Sequence, residues 1–129
     1  MPGSVTHFEI YGGHPSELAG FYREALGWEV EQMPGIQYWR VQTGAPDGPA
    51  PHGGLTHRAI PELNGWLLFV HVTSIDETET RIQALGGTII RRRTAVPRTA
   101  WVTIVADPAK NIFGIWQADT KAFPLPEPD

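Results

Sequence analysis

The sequence predicts an α+β protein in which one pattern, strand, helix and then three strands, is used twice. Three observations point there. The 129 residues suit one domain or two small fused modules. The apolar period switches along the chain between two residues and about 3.6. The 14 glycines and 12 prolines divide it into short elements.

Val5 to Tyr11 alternates and reads as a strand, with Val5, His7, Glu9 and Tyr11 on one face and Thr6, Phe8 and Ile10 on the other. Pro15 suits the first turn of a helix, where its missing N–H costs nothing. Leu18, Phe21, Tyr22, Ala25 and Leu26 then recur at helical spacing through residues 15–26, and Gly27 stands where a C-terminal glycine belongs. Trp28 to Met33 and Ile36 to Thr43 are strands around the Pro34-Gly35 turn. Parity leaves Tyr38 and Trp39 unassigned to a face. Residues 44–51 are a loop, and His52 to His57 is a strand weakened by Gly53 and Gly54.

After a connector at 58–65 the order repeats. Trp66 to Thr73 is an apolar strand. Ser74 caps a helix over 75–85, with Glu77 as its capping-box partner, and Gly86-Gly87 ends it. Thr88 to Ile90 begins a strand, and Arg91 to Thr99 reads as a basic hairpin loop. Trp101 to Ala106 and Ile112 to Gln117 are strands around an Asp107-Pro108 turn. Leu26-Gly27 and Leu85-Gly86 match at an offset of 59, and His7 and His71 match at 64. The modules are therefore set at residues 1–60 and 61–120, with a Pro-rich tail at 121–129. One βαβββ module cannot cover both faces of its sheet, so two should pair.

Composition excludes several classes. Ten basic against 14 acidic residues give a net charge of −4, a poor basis for binding nucleic acid. No apolar run approaches the ~20 residues that span a bilayer, and MPGSVTHFEI lacks the basic and apolar regions of a secretory leader. The absence of cysteine removes disulfides, thiolate nucleophiles and zinc ribbons, and fits a cytoplasmic protein. No Ser-His-Asp arrangement can be picked out, and Gly53-Gly54 lacks the helix and lysine of a phosphate loop.

Several segments together resemble the vicinal oxygen chelate superfamily of glyoxalase I, bleomycin-resistance proteins and extradiol dioxygenases. They are HFEI in the first strand, FYREALGW in the helix, GGL at 53–55, FVHV and ALGG in the second module, and DPAKNIFGIWQ at the end. The likeness spans about residues 4–118, in the small bacterial branch related to lactoylglutathione lyase. It implies that the two modules form a cupped, mixed eight-stranded sheet. It also implies a divalent metal (Fe, Mn, Ni or Zn), held by the first and last strands of each module, that chelates two neighbouring oxygens of the substrate. Carried over, two ligands match His7 and His71. The other two positions fall at Gly54 and Gly114, so both expected carboxylates are missing. Glu9 lies two residues from His7, about 6.6 Å along the strand, and is one candidate third ligand; His52 is the other. Equally, the chain would hold no metal, with His7 and His71 as hydrogen-bonded pocket residues.

Strand parity assigns to the cup face His7, Glu9, His52 and Thr56 from the first module. Phe69, His71, Thr73, Trp101, Thr103 and Trp116 join them from the second. Phe8, Ile10, Val70, Val72, Val102 and Ile104 are assigned beneath the helices. The ligand pocket is then His7, His52, Phe69, His71, Thr73, Trp101 and Trp116, aromatic with a few polar groups. Glu9 is the candidate catalytic base, for a proton beside a carbonyl, or else a structural carboxylate. Arg91, Arg92, Arg93 and Arg98 are either a solvated hairpin or a clamp for an anionic ligand.

The expected function is binding of a small organic molecule in the cup by a homodimer, the state common among similar two-module chains, without the full four-ligand metal site. One alternative is a metal-dependent lyase, isomerase or dioxygenase using His7 and His71. The other is a non-catalytic interaction domain. The two glycines argue against glyoxalase I itself.

Overall fold

The computed structural model describes residues 2–58, 63 and 65–123. Most of the expected connector at 58–65, and the Pro-rich tail beyond Phe123, lie outside them. In chain order the elements are β1 (Val5–Tyr11), α1 (Pro15–Leu26), β2 (Glu29–Gln32), β3 (Tyr38–Gln42), β4 (His52–Thr56), β5 (Gly65–His71), α2 (Ile75–Ala84), β6 (Thr88–Val96), β7 (Ala100–Ala106) and β8 (Ile112–Ala118). This is the α+β class expected, βαβββ used twice, with mixed parallel and antiparallel pairing. The chain divides into two compact units, Thr6–Leu68 and Met1–Val5 with Phe69–Asp129.

In the Thr6–Leu68 unit the strand order is β2-β3-β4-β1. β1 and β4 run parallel, placing His7 opposite His52 and Glu9 opposite Gly54. β3 is antiparallel to β4, with Tyr38 opposite Thr56 and Arg40 opposite Gly54. One sheet face packs under α1: Phe8, Ile10, Val30, Trp39, Val41 and Leu55 close on Ala19, with Leu18, Tyr22 and Trp28 at the margin. Pro15 opens α1, and left-handed Gly27 closes it by donating its N–H to the Arg23 carbonyl. The Arg23 Nε then donates to the Val30 carbonyl at 2.8 Å and ties the helix to β2.

In the other unit the order is β5-β8-β7-β6, with β5 parallel to β8. The Ser4 carbonyl accepts from the His71 N–H at 2.8 Å, and the Gly3 N–H donates to the His71 carbonyl at 2.7 Å, which joins the first residues of the chain to this unit. The core under α2 is Ile75, Val105 and Ile115, with Val72, Ile82, Ile89, Trp101 and Phe113 packed around it. Ser74 caps α2 by accepting the Glu77 N–H at 3.2 Å, and Gln117 Oε1 accepts the Ile75 N–H at 2.8 Å, tying the helix start to β8. Among the described residues no helix is long and apolar enough to cross a membrane.

The expected hairpin loop at 91–99 is instead mostly strand. β6 continues to Val96 and only a short turn separates it from β7. Two register shifts between Ile89 and Thr94 accommodate the arginines. An irregular, charged strand at the end of the strand order also resists pairing with another chain.

Ser74→Ala removes one acceptor from the start of α2. It should lower unfolding stability by about 1 kcal/mol, read as a lower urea midpoint with an unchanged slope.

Candidate functional site

The face of β1, β3 and β4 turned away from α1 is polar. Residues directly opposite in a ladder project to the same side, so His7, Glu9, Tyr38, Arg40, His52 and Gly54 share it. The register thereby settles what alternation alone could not: Tyr38 belongs to this face, and Trp39 is buried under α1.

Tyr38, Glu9 and His7 form a network there. The Tyr38 hydroxyl donates to Glu9 Oε2 at 2.6 Å, and His7 Nε2 lies 2.9 Å from the same oxygen. A carboxylate only accepts, so His7 carries its proton on Nε2 in this contact. Tyr11 approaches the other oxygen at 3.4 Å. Glu9 is buried, as is His7. Burial of the Tyr38 phenol, reinforced by the Glu9 charge and hydrogen bond, pushes its pKa well above the ordinary tyrosine value, so it remains a donor.

Gly54 makes this network possible. A Cβ there would run into the Tyr38 hydroxyl and ring and come within 2.8 Å of Glu9 Oε2. The phenol occupies the volume that a side chain at 54 would need. In the other unit a Cβ on Gly114 would strike the ring of Phe69, which stands opposite it in the β5–β8 register. Phe69 is fully buried and meets Trp116 edge-on at 6.2 Å between ring centroids.

The remaining expected residues divide. His52 lies opposite His7, and its Nδ1 accepts the Thr43 N–H at 3.3 Å while its buried Nε2 has no partner. His71 and Trp116 are opposite one another, beside Phe69 and Gly114, and the buried His71 Nδ1 also has no partner. Thr73 is exposed beyond the end of β5.

Trp101 and Thr103 are corrections. Trp101 packs with the core under α2, and the Thr103 hydroxyl donates to Glu79 on that helix at 2.8 Å. Val102 and Ile104, expected beneath the helix, are opposite Trp116 and Gly114 and share their side. Both parities of β7 are largely apolar, so alternation could not choose between them; pairing with β8 does. Arg92 and Arg93 also turn to α2, to Glu79 at 3.3 Å and Asp76 at 2.6 Å.

The glyoxalase-like domain family matches residues 10–116. The chain belongs to that family. Among curated proteins none matches. Solved structures similar to this glyoxalase-like chain include a Legionella pneumophila protein described as an NAD-dependent benzaldehyde dehydrogenase, at 21% identity and TM-score 0.61, covering 88% of this chain and 98% of that one. A Streptomyces coelicolor methylmalonyl-CoA epimerase in complex with 2-nitronate-propionyl-CoA has 13% identity and TM-score 0.63, covering 96% and 100%. A glyoxalase/bleomycin resistance protein/dioxygenase superfamily member from Vibrio splendidus has 18% identity and TM-score 0.58, covering 90% and 98%. At these identities the likeness is one of fold.

The residues present do not fit the metal that the superfamily resemblance implies. The two positions that should supply ligands are glycines whose side-chain volume is filled by Tyr38 and Phe69. His7 directs Nε2 to Glu9, and Glu9 Oε2 is taken by two hydrogen-bond partners. Among the described residues no three His, Cys, Asp or Glu side chains converge as a metal-holding set.

Tyr38→Phe deprives a buried carboxylate of its shortest hydrogen bond and should cost about 1–3 kcal/mol. A pKa raised by folding contributes stability that is complete below the unfolded value of about 10 and declines as pH rises beyond it. The wild type should therefore lose stability above about pH 10 more steeply than Tyr38→Phe, whose spectrophotometric titration should lack one late phenol step.

Gly114→Ala should cost about 1–3 kcal/mol by overpacking Phe69. The loss should be smaller when Phe69→Leu is already present, a coupling that denaturant unfolding of the double-mutant cycle measures.

Proposed function

We propose that this glyoxalase-like protein binds a small organic molecule on the polar face of β1, β3 and β4 without a catalytic metal, as a cytoplasmic homodimer. One observation carries the reading: the Tyr38 phenol, hydrogen-bonded to Glu9, fills the place where the superfamily would set a ligand at position 54. A side chain that could bind an ion is thereby exchanged for an aromatic wall with a polar edge, the make-up of a small-molecule site. His52 supports the reading, because its buried Nε2 has no partner and its desolvation is not offset within the chain. The Streptomyces epimerase, solved in complex with 2-nitronate-propionyl-CoA, supports the idea that this fold can accept an organic ligand. The homodimer rests on the exposed aromatic rings of Phe21 and Trp66, which are 59% and 51% accessible.

Metal content should be measured on untagged protein purified without chelator, alongside tryptophan fluorescence titrations with aromatic carbonyl compounds. The expected result is sub-stoichiometric metal, with quenching unchanged by EDTA. Near-stoichiometric metal that disappears in His7→Ala and His71→Ala would overturn the metal-free reading.

A further inference from the structure

The sequence offers a cluster of arginines as a clamp for an anionic ligand, but Arg92 and Arg93 are engaged by Glu79 and Asp76 on α2. Arg40 differs from them. It lies on β3 opposite Gly54 on one side and opposite Glu31 of β2 on the other. It is exposed, and among the described residues its side chain makes no hydrogen bond or ion pair.

Three features leave this guanidinium available. Gly54, directly opposite, has no side chain that could pair with the guanidinium. Glu9, on the same face, is already held through Oε2 by Tyr38 and His7. Glu31 is itself exposed, and an attraction between exposed side chains is weak and screened by salt. The guanidinium is also close enough to Tyr38 for its charge to oppose the upward pKa shift of the phenol. A planar fork of donors beside an aromatic ring suits an oxyanion attached to an apolar body.

We propose that Arg40 selects ligands bearing a carboxylate or phosphate and holds that group beside the Tyr38 ring. This rests on the reading of the face as a small-molecule site and specifies the chemical class it takes. Glu31 acts against it, as a weak internal competitor for the same guanidinium.

The test follows backbone and arginine Nε–H resonances by NMR during titration with benzoate, benzamide and phenyl phosphate. Benzoate should shift Arg40, Tyr38 and Gly54 and bind at least tenfold more tightly than benzamide, with an affinity that falls as NaCl is raised. Arg40→Gln should abolish that preference. Glu31→Gln should tighten benzoate binding severalfold, an effect a merely structural arginine would not produce. Tighter, Arg40-dependent binding of phenyl phosphate would identify phosphate as the preferred source of the anion. Equal binding of benzoate and benzamide at this face, or benzoate binding unaffected by Arg40→Gln, would overturn the role of Arg40 and leave the binding face standing. If no probe shifts these resonances, both proposals fall.

Discussion

The hydrogen bond from Tyr38 to Glu9 is the contact on which the polar face of β1, β3 and β4 depends. Glu9 is buried on a strand, where a carboxylate without donors would cost several kcal/mol. Tyr38 supplies one donor from two strands away, and His7 supplies another from the same strand. The phenol can reach Glu9 because Gly54, on the strand between them, has no side chain. Three strands thus contribute one residue each to a single arrangement: a carboxylate, an absence of side chain, and a hydroxyl. A larger residue at 54 would break the contact sterically, before any question of its chemistry arose.

The two units fill corresponding glycine positions with different chemistry. At Gly54 the incoming ring carries a hydroxyl and has a buried carboxylate to meet. At Gly114 the incoming ring is Phe69, which is fully buried and packs against Trp116. A phenol placed at 69 would need a buried acceptor to offset its desolvation. The difference between tyrosine and phenylalanine therefore follows what each ring meets. In both places the aromatic body does the filling, and only its polar edge is adjusted.

Much of the fold could be read from the sequence because its signals were local. Pro15 and Gly27 bracket α1, and Ser74 caps α2, each through contacts within a few residues. The alternation of β1 was legible because one parity is apolar while the other carries His7 and Glu9. That contrast fails in β7, where Trp101 and Val105 alternate with Val102 and Ile104, and only the register with β8 reveals which set lies under α2. Tyr38 was missed for the same reason: with Trp39 beside it, either aromatic could be the buried one. The GG at 53–54 was visible as a weakness in a strand and as a lost ligand position. Its role as space for Tyr38 depends on a residue sixteen positions earlier in the chain, and no local pattern encodes that.

The arginines show how charge is assigned by packing more than by clustering in sequence. In β6 the register shifts on either side of Arg91 interrupt the alternation, so that consecutive Arg92 and Arg93 both turn to α2. Thr103 supports the irregularity, since its hydroxyl accepts the Arg93 N–H at 3.1 Å while donating to Glu79. Glu79 therefore collects a hydroxyl and a guanidinium, which is how a largely buried carboxylate on a helix is kept satisfied. The acidic residues of α2 draw the basic run into the fabric of their own unit. Arg40, on a regular strand between Gly54 and the exposed Glu31, is held by no comparable pair, and that separates a cation used for folding from the one proposed for recognition.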